Sequence, residues 1–208
     1  SNLCGALEFA EKISKVGTQP IIGTQINFKY SDCIGLLPLF ALNEEGYKRI
    51  IKLSSTSYLE NDELSDPHVD FNDLLDDNTG VAIFSGTIFG LFGELFNKGK
   101  FGEISDLYKK LKLKFDDRFY IEIQRHNDQN ELGFEKFNLT KSLELEIPII
   151  ATNEVFYINK DMHEAHDALI CIGNKTYVNE KSRIRLTNQH YYKNNSEMTE
   201  LFADLPEA

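Results

Sequence analysis

The stretch "FYIEIQRHNDQNELGFEKFNLTKSLELEIPIIATNEV", residues 119–155, decides the fold. Its opening, "FYIEIQR" (119–125), is an apolar, partly β-branched run that suits a strand. From about Glu131 to Leu145, Leu139 and Leu143 keep helical spacing. "IPIIAT" (147–152) is apolar again and bounded by polar residues. A strand, a helix of this length and a second strand make the repeating unit of α/β proteins with a parallel sheet.

Working outward, "PIIGTQINF" (20–28), "GLLPLFAL" (35–42) and "GVAIFSG" (80–86) are further runs bounded by polar turns. Runs of this kind suit parallel strands buried on both faces. Helical patterns lie around them. Leu3, Ala6, Leu7, Ala10 and Ile13 form one stripe, and Phe101, Ile104, Leu107, Tyr108, Leu111 and Phe115 another. In "NEEGYKRIIKLSS", Asn43 can N-cap, Glu44 and Glu45 suit the positive end of the helix dipole, and Tyr47, Ile50, Ile51 and Ser54 share a face. Five strands behind an opening helix predict a barrel that lacks its first turn or two, in a chain that starts "SNLCGALEF" without Met.

The 208 residues suffice for one domain, and no internal boundary or repeat is visible. A net charge of −11 disfavours a grip on phosphate backbones and suits a solvated or protein-facing surface. Residues 60–80 hold eight acids and no Lys or Arg, and read as an exposed loop with a short helix capped by Asp70. Residues 174–195 hold five Lys or Arg against one Glu, and read as a solvated loop. Cys4, Cys33 and Cys171 make no CxxC pair, so neither a zinc knuckle nor a disulfide framework is expected, and a reducing cytoplasm is the simpler setting. Cys4 and Cys171 lie on apolar helical patterns and are expected to be buried thiols. No apolar run approaches the ~20 residues of a membrane span, and no signal peptide is visible.

Ligands gather at the C-terminal ends of barrel strands. Those ends carry Gln25, Ser85 to Thr87, Gln124 to His126, and Asn153 to Phe156. A hydrolytic metal site needs His, Asp, Glu or Cys at several of them, and only His126 and Glu154 qualify. "HEAH" places His163 and His166 three apart rather than the four of HExxH. His166 shares a helical face with Met162, Ala165, Leu169, Ile170 and Gly173, with Asn159 able to N-cap, and is expected to be a buried structural histidine. GxxxxGK[ST], GxGxxG and GxSxG are absent, which removes support for nucleotide-cradling and serine-hydrolase readings.

"NLCGALEF", "PIIGTQINF", "ALNEEGYKRIIKLSSTSYLE", "PHVDFNDLL", "IFSGTIFG", "FYIEIQRH", "IPIIATNEVFYI", "EAHDALICI" and "SEMTELFADLPEA" run in one order from end to end. Together they resemble the PHP (polymerase and histidinol phosphatase) domain of the bacterial DNA polymerase III alpha subunit, in its proteobacterial form. The resemblance implies a distorted (β/α)7 PHP-type barrel, here a single partial domain over 1–208 without its N-terminal strands and first metal motifs. It also implies membership of a cytoplasmic, replicative DNA-directed DNA polymerase, a nucleotidyltransferase whose Mg-dependent catalytic acids lie elsewhere in the parent chain.

Family members with an intact PHP site hold three metals. Against that pattern Gln25 stands for Glu, Leu36 for His, Thr87 for Cys, Glu154 for Asp and Phe156 for His. An amide, an aliphatic chain and a phenyl ring cannot hold such cations. The expectation is a vestigial site with no catalytic residue, metal or cofactor of its own, and with His126 and His166 as nearby polar groups. In members with a degenerate site, a separate proofreading exonuclease, the epsilon subunit, docks on the PHP domain. The expected partners are therefore epsilon and the rest of the alpha chain, with DNA reached only through the parent polymerase. The alternative is a Zn- or Mn-dependent phosphoesterase or 3′–5′ exonuclease using His126, Glu154 and His166. A truncated barrel also exposes sheet edges, so marginal stability in isolation is expected.

Overall fold

The computed structural model describes residues 2–61 and 65–208. They form two compact units, the described residues among 1–122 with 141–148, and residues 123–140 with 149–208. Across the described residues, helices alternate with strands in a mixed α/β arrangement, as expected of a (β/α) barrel-like fold.

The first unit contains α1 (Ala6–Lys15), β1 (Gly23–Tyr30), β2 (Cys33–Ala41), α2 (Glu44–Leu59), β3 (Val69–Asp70), α3 (Phe71–Asp76), β4 (Val81–Phe84), α4 (Leu91–Asn97) and α5 (Phe101–Phe115). It also holds β5 (Phe119–Ile123) up to Glu122. The strand order within it is β3-β1-β2-β4-β5. β4 and β5 are parallel, as the sequence predicts, and so are β1 and β3. β1 and β2, however, form an antiparallel hairpin with Gln25 opposite Pro38, and β2 is antiparallel to β4. A parallel pair needs a crossover of a dozen or more residues, whereas only Ser31 and Asp32 separate β1 from β2. Ser31 turns the chain at φ 54°.

The "NEEG" stretch is explained by close backbone packing. Asn43 Oδ1 accepts the Gly46 N–H at 2.9 Å and caps α2. A Cβ on Gly46 would stand 1.8 Å from the Gly80 carbonyl oxygen, and Leu42 N–H donates to that same oxygen at 2.9 Å. The buried face of α2 is Gly46, Ile50, Leu53 and Ser57, one position round from the predicted stripe. Ile51, on that stripe, is exposed. In α5, Ile104, Leu107, Tyr108, Leu111 and Phe115 are buried as predicted. Tyr108 sits edge-on between Phe92 (4.7 Å) and Phe119 (5.6 Å), which knits α4, α5 and β5. α1 buries no residue, and Cys4 is exposed, against expectation. Asp70 caps α3 by accepting the Asn72 N–H at 2.8 Å; part of the acidic stretch, residues 62–64, lies outside the described residues.

The second unit contains residues 131–140 of α6 (Glu131–Leu145), β6 (Ile149–Ala151), α7 (His163–Gly173) and α8 (Asn195–Leu201). Thr152 N–H donates to Ile123 O at 3.1 Å, which ties the strand ends together. Residues 174–194 form no helix or strand beyond a bridge between Tyr157 and Tyr191, so side chains satisfy much of their backbone. Arg183 pairs with buried Asp167 and donates from Nε to Val178 O at 3.1 Å. Tyr157 Oη donates to Thr187 O at 2.9 Å. α8 begins with a capping box of Asn194 and Glu197. On α7 the buried residues are Asp167 and Cys171, while Leu169 and Ile172 are exposed. The predicted apolar face is thus turned, and Asn159 makes no side-chain cap. A 3-10 turn at Lys160–Met162 precedes α7, and the face that carries Asp167 is buried against Arg183.

Candidate functional site

The strongest side-chain cluster lies in the second unit, where the chain leaves β5. Asn127 (φ 62°) and Asn130 (φ 66°) take left-handed backbone conformations, which asparagine tolerates best after glycine. They wrap the loop around the carboxylate of Glu131, at the head of α6. That carboxylate accepts the N–H groups of His126 (2.8 Å), Asn127 (2.7 Å) and Asp128 (3.3 Å). The same group lies 3.5 Å from His126 Nδ1. One glutamate therefore positions the backbone and the ring of His126 and the backbone of Asp128.

His126 Nε2 lies between Asn153 Oδ1 (3.1 Å) and the Glu154 N–H (3.3 Å). Asn153 is oriented by donating from Nδ2 to Tyr191 O at 2.9 Å, which leaves Oδ1 for His126 and for Lys193 Nζ at 2.9 Å. Lys193 is buried, donates also to Gln189 O, and stands 4.6 Å over the Tyr191 ring. Its pKa is lowered, chiefly because burial penalises the ammonium. Burial likewise raises the Glu154 carboxyl above the usual range, and the nearby rings of His190 and His126 oppose it.

His190 arrives from the irregular 174–194 segment and is fully buried. Its ring stacks on His126 with centroids 4.1 Å apart and planes within 4° of parallel. Its Nε2 stands 3.3 Å from Asp128 Oδ2, and neither ring nitrogen makes a hydrogen bond. Ligating atoms of His126, Asp128 and His190 lie within 4.8 Å of one another. Two further anchors hold this segment: the Thr187 hydroxyl donates to His126 O, and Phe156 N–H donates to His190 O at 3.0 Å.

Of the residues singled out from sequence, His126 and Glu154 come together. His166 does not join them. It stacks with Phe156 (5.5 Å) and lies 5.3 Å from the Tyr157 ring, is half-buried, and keeps Nδ1 buried without a partner. Phe156 in turn lies 5.3 Å from His190. His126, His190, Phe156 and His166 thus form a row of rings, with Phe156 between His190 and His166. In the first unit, Gln25 lies on β1 and Leu36 on β2, both half-buried, and Thr87 follows β4, where its hydroxyl accepts the Phe89 N–H at 3.1 Å. These three side chains offer an amide, a hydrocarbon and a hydroxyl, a donor set that does not fit a cluster of transition metals. Asp128, His190 and Lys193 were not identified from sequence. They lie in loops, where no periodicity marks a buried residue.

Comparison with known proteins gives one family match and several relatives that match this chain along its whole length. The PHP domain family matches residues 1–126. The DNA polymerase III subunit alpha of Caulobacter vibrioides (strain NA1000 / CB15N) is 35% identical over 221 residues, covering 100% of this chain and 19% of that protein. That of Rickettsia conorii is 38% identical over 211 residues, covering 100% and 18%. That of Vibrio cholerae is 30% identical over 212 residues, covering 100% and 18%. The chain therefore spans under a fifth of the length of these curated relatives.

Proposed function

The chain belongs to the PHP-domain family, and from that premise we propose that it is the PHP portion of a DNA polymerase III alpha subunit, itself catalytically silent. In this reading it serves the stability of a replicative polymerase and gives a docking surface to the proofreading exonuclease subunit, in the cytoplasm. The parent polymerase uses Mg and touches DNA; this portion does neither chemistry. End-to-end similarity to alpha subunits supports the polymerase assignment.

The observation that carries the silent reading is the residue chemistry at the family's metal positions. Gln25, Leu36 and Thr87 lack strong donors, and Phe156 fills its place with a ring stacked on His166. Glu154 remains a carboxylate and is the one strong donor left among these five positions. One remaining acid cannot orient a metal-bound nucleophile.

The test is direct. Purified chain is incubated with primer–template and nucleotides, and separately with end-labelled single strands in Mn²⁺ or Zn²⁺. Neither extension nor degradation is expected. Metal-dependent degradation that purifies with the chain and disappears in Glu154→Gln would overturn the silent reading. Docking is checked by co-elution with the exonuclease subunit from the same organism, and a failure to co-elute would remove the scaffold role.

A further inference from the structure

We infer that His126, Asp128 and His190 bind one divalent transition-metal ion of the zinc class, at a place that is none of the family's metal positions. The proposal stands apart from the silent-scaffold reading and does not rest on it. Among the described residues these three are the group whose His, Cys, Asp or Glu ligand atoms converge, within 4.8 Å. Two imidazoles and a carboxylate are borderline donors suited to zinc.

The second observation is His190 itself. It is fully buried, yet both ring nitrogens lack a hydrogen-bond partner. Buried polar atoms are almost always satisfied, so a buried imidazole without a hydrogen bond, facing only a carboxylate, needs an explanation, and a bound ion supplies one. Asp128 Oδ2 already stands 3.3 Å from His190 Nε2. Glu131 stands 3.5 Å behind His126 Nδ1, where a carboxylate supports a ligating histidine.

In the stacked arrangement the two ring planes are nearly parallel and separate, so no single ion lies in both. One ring must turn to make the bond. His190 breaks no hydrogen bond in turning and moves only its Nε2 contact with Asp128, a fellow ligand, whereas His126 gives up Asn153 or the Glu154 N–H. The ion would therefore be captured by rotation of His190, with water completing the shell. Its effect would be structural. It would tie the loop after β5 to the irregular 174–194 segment.

The experiment titrates Zn²⁺ into metal-free protein against a chromophoric chelator, and repeats it with Co²⁺ read by visible absorption. One equivalent is expected, with Co²⁺ bands of a four-coordinate N/O site. His190→Phe keeps a stacked ring without nitrogens and is expected to weaken binding more than ~100-fold, as is Asp128→Asn; Glu131→Gln should weaken it ~10–100-fold. Circular dichroism melts of the metal-free variants confirm folding. Absence of stoichiometric binding, or unchanged affinity in folded His190→Phe and Asp128→Asn, overturns the proposal. Loss confined to Glu154→Gln would also overturn it, by placing the ion at a family position. The readout is binding alone, so its failure is separable from any result in the nuclease assay.

Discussion

The rings of His126 and His190 lie face to face, 4.1 Å between centroids, although the residues are far apart in sequence and come from two irregular segments. Neither ring nitrogen of His190 recovers the hydrogen bonds it had with water. An unsatisfied buried polar group costs about 1–3 kcal/mol, so Nδ1 of His190 lowers metal-free stability, while packing and the 3.3 Å approach of Nε2 to Asp128 Oδ2 add to it. His190→Phe keeps the packing and removes the nitrogens. In metal-free protein it should leave stability nearly unchanged, because relief of the unsatisfied nitrogen is offset by loss of the Nε2–Asp128 pair, whereas His190→Ala should lower it by about 2–4 kcal/mol. Urea unfolding of both variants checks this; a clear loss in His190→Phe would mean that the nitrogens contribute to the fold.

Gly46 gives a second, sharper case. Its missing Cβ is what lets the first turn of α2 meet the Gly80 carbonyl, at a distance of 1.8 Å for the built atom. Gly80 sits at φ +67°, and a Cβ there would meet Asn43 Oδ1 at 2.1 Å, so neither side can yield easily. Forced overpacking costs ~1–3 kcal/mol and occasionally more, and this contact is backbone against backbone. Gly46→Ala should lose about 3 kcal/mol in equilibrium unfolding. A variant as stable as the parent would show that α2 can shift without penalty.

The terminal "LFADLPEA" is tied to "EIQRH" by Arg125. Its guanidinium pairs with Glu135 at 2.6 Å and Asp204 at 2.6 Å, donates to Leu201 O at 2.7 Å, and lies 4.9 Å over the Phe202 ring. Glu135 is buried while Asp204 is exposed, so the Glu135 limb carries most of the energy. Arg125→Ala should cost about 2 kcal/mol after allowance for solvent screening, and Arg125→Lys should recover only part, because a lysine cannot span both carboxylates bidentately. Protease cutting after α8 should accelerate in the same order. Equal cutting in all three proteins would separate the motif from its partner.

How much of this was legible in the sequence depends on the kind of contact. The five main strands, the α5 stripe, the α6 span and the Asn43 and Asp70 caps follow from periodicity and local hydrogen bonding, and they stand where expected. Pairing sense does not follow from apolar runs alone, and the β1–β2 hairpin could be found only from the shortness of its link. α7 shows the limit of face assignment: its stripe includes Leu169, which is exposed, while charged Asp167 is buried because Arg183 neutralises it from a loop. At the candidate site, His126 and Glu154 are legible as neighbours at strand ends. His190 is not, since its burial is decided by a long irregular segment whose only sequence signal is its basic charge.

The Asp167–Arg183 pair makes that segment sensitive to acid. Both side chains are almost wholly buried, at 6% and 5% exposure. The hydrogen bond from Arg183 holds the Asp167 carboxyl below its ordinary range, with burial acting the other way and Arg185 and His163 adding to the lowering. A carboxyl whose pKa is lower in the folded than in the unfolded state contributes stability above its unfolded value, ~3.9, and loses it as pH falls through the folded value. Stability should therefore be insensitive to this group at neutral pH and decline on its account only below about pH 4. Asp167→Asn should be less stable at neutral pH and show a flatter acid limb. Thermal melts from pH 7 to pH 3, with exchange protection followed in residues 174–194, check both. An acid limb of unchanged slope in Asp167→Asn would assign the loss to other carboxyls.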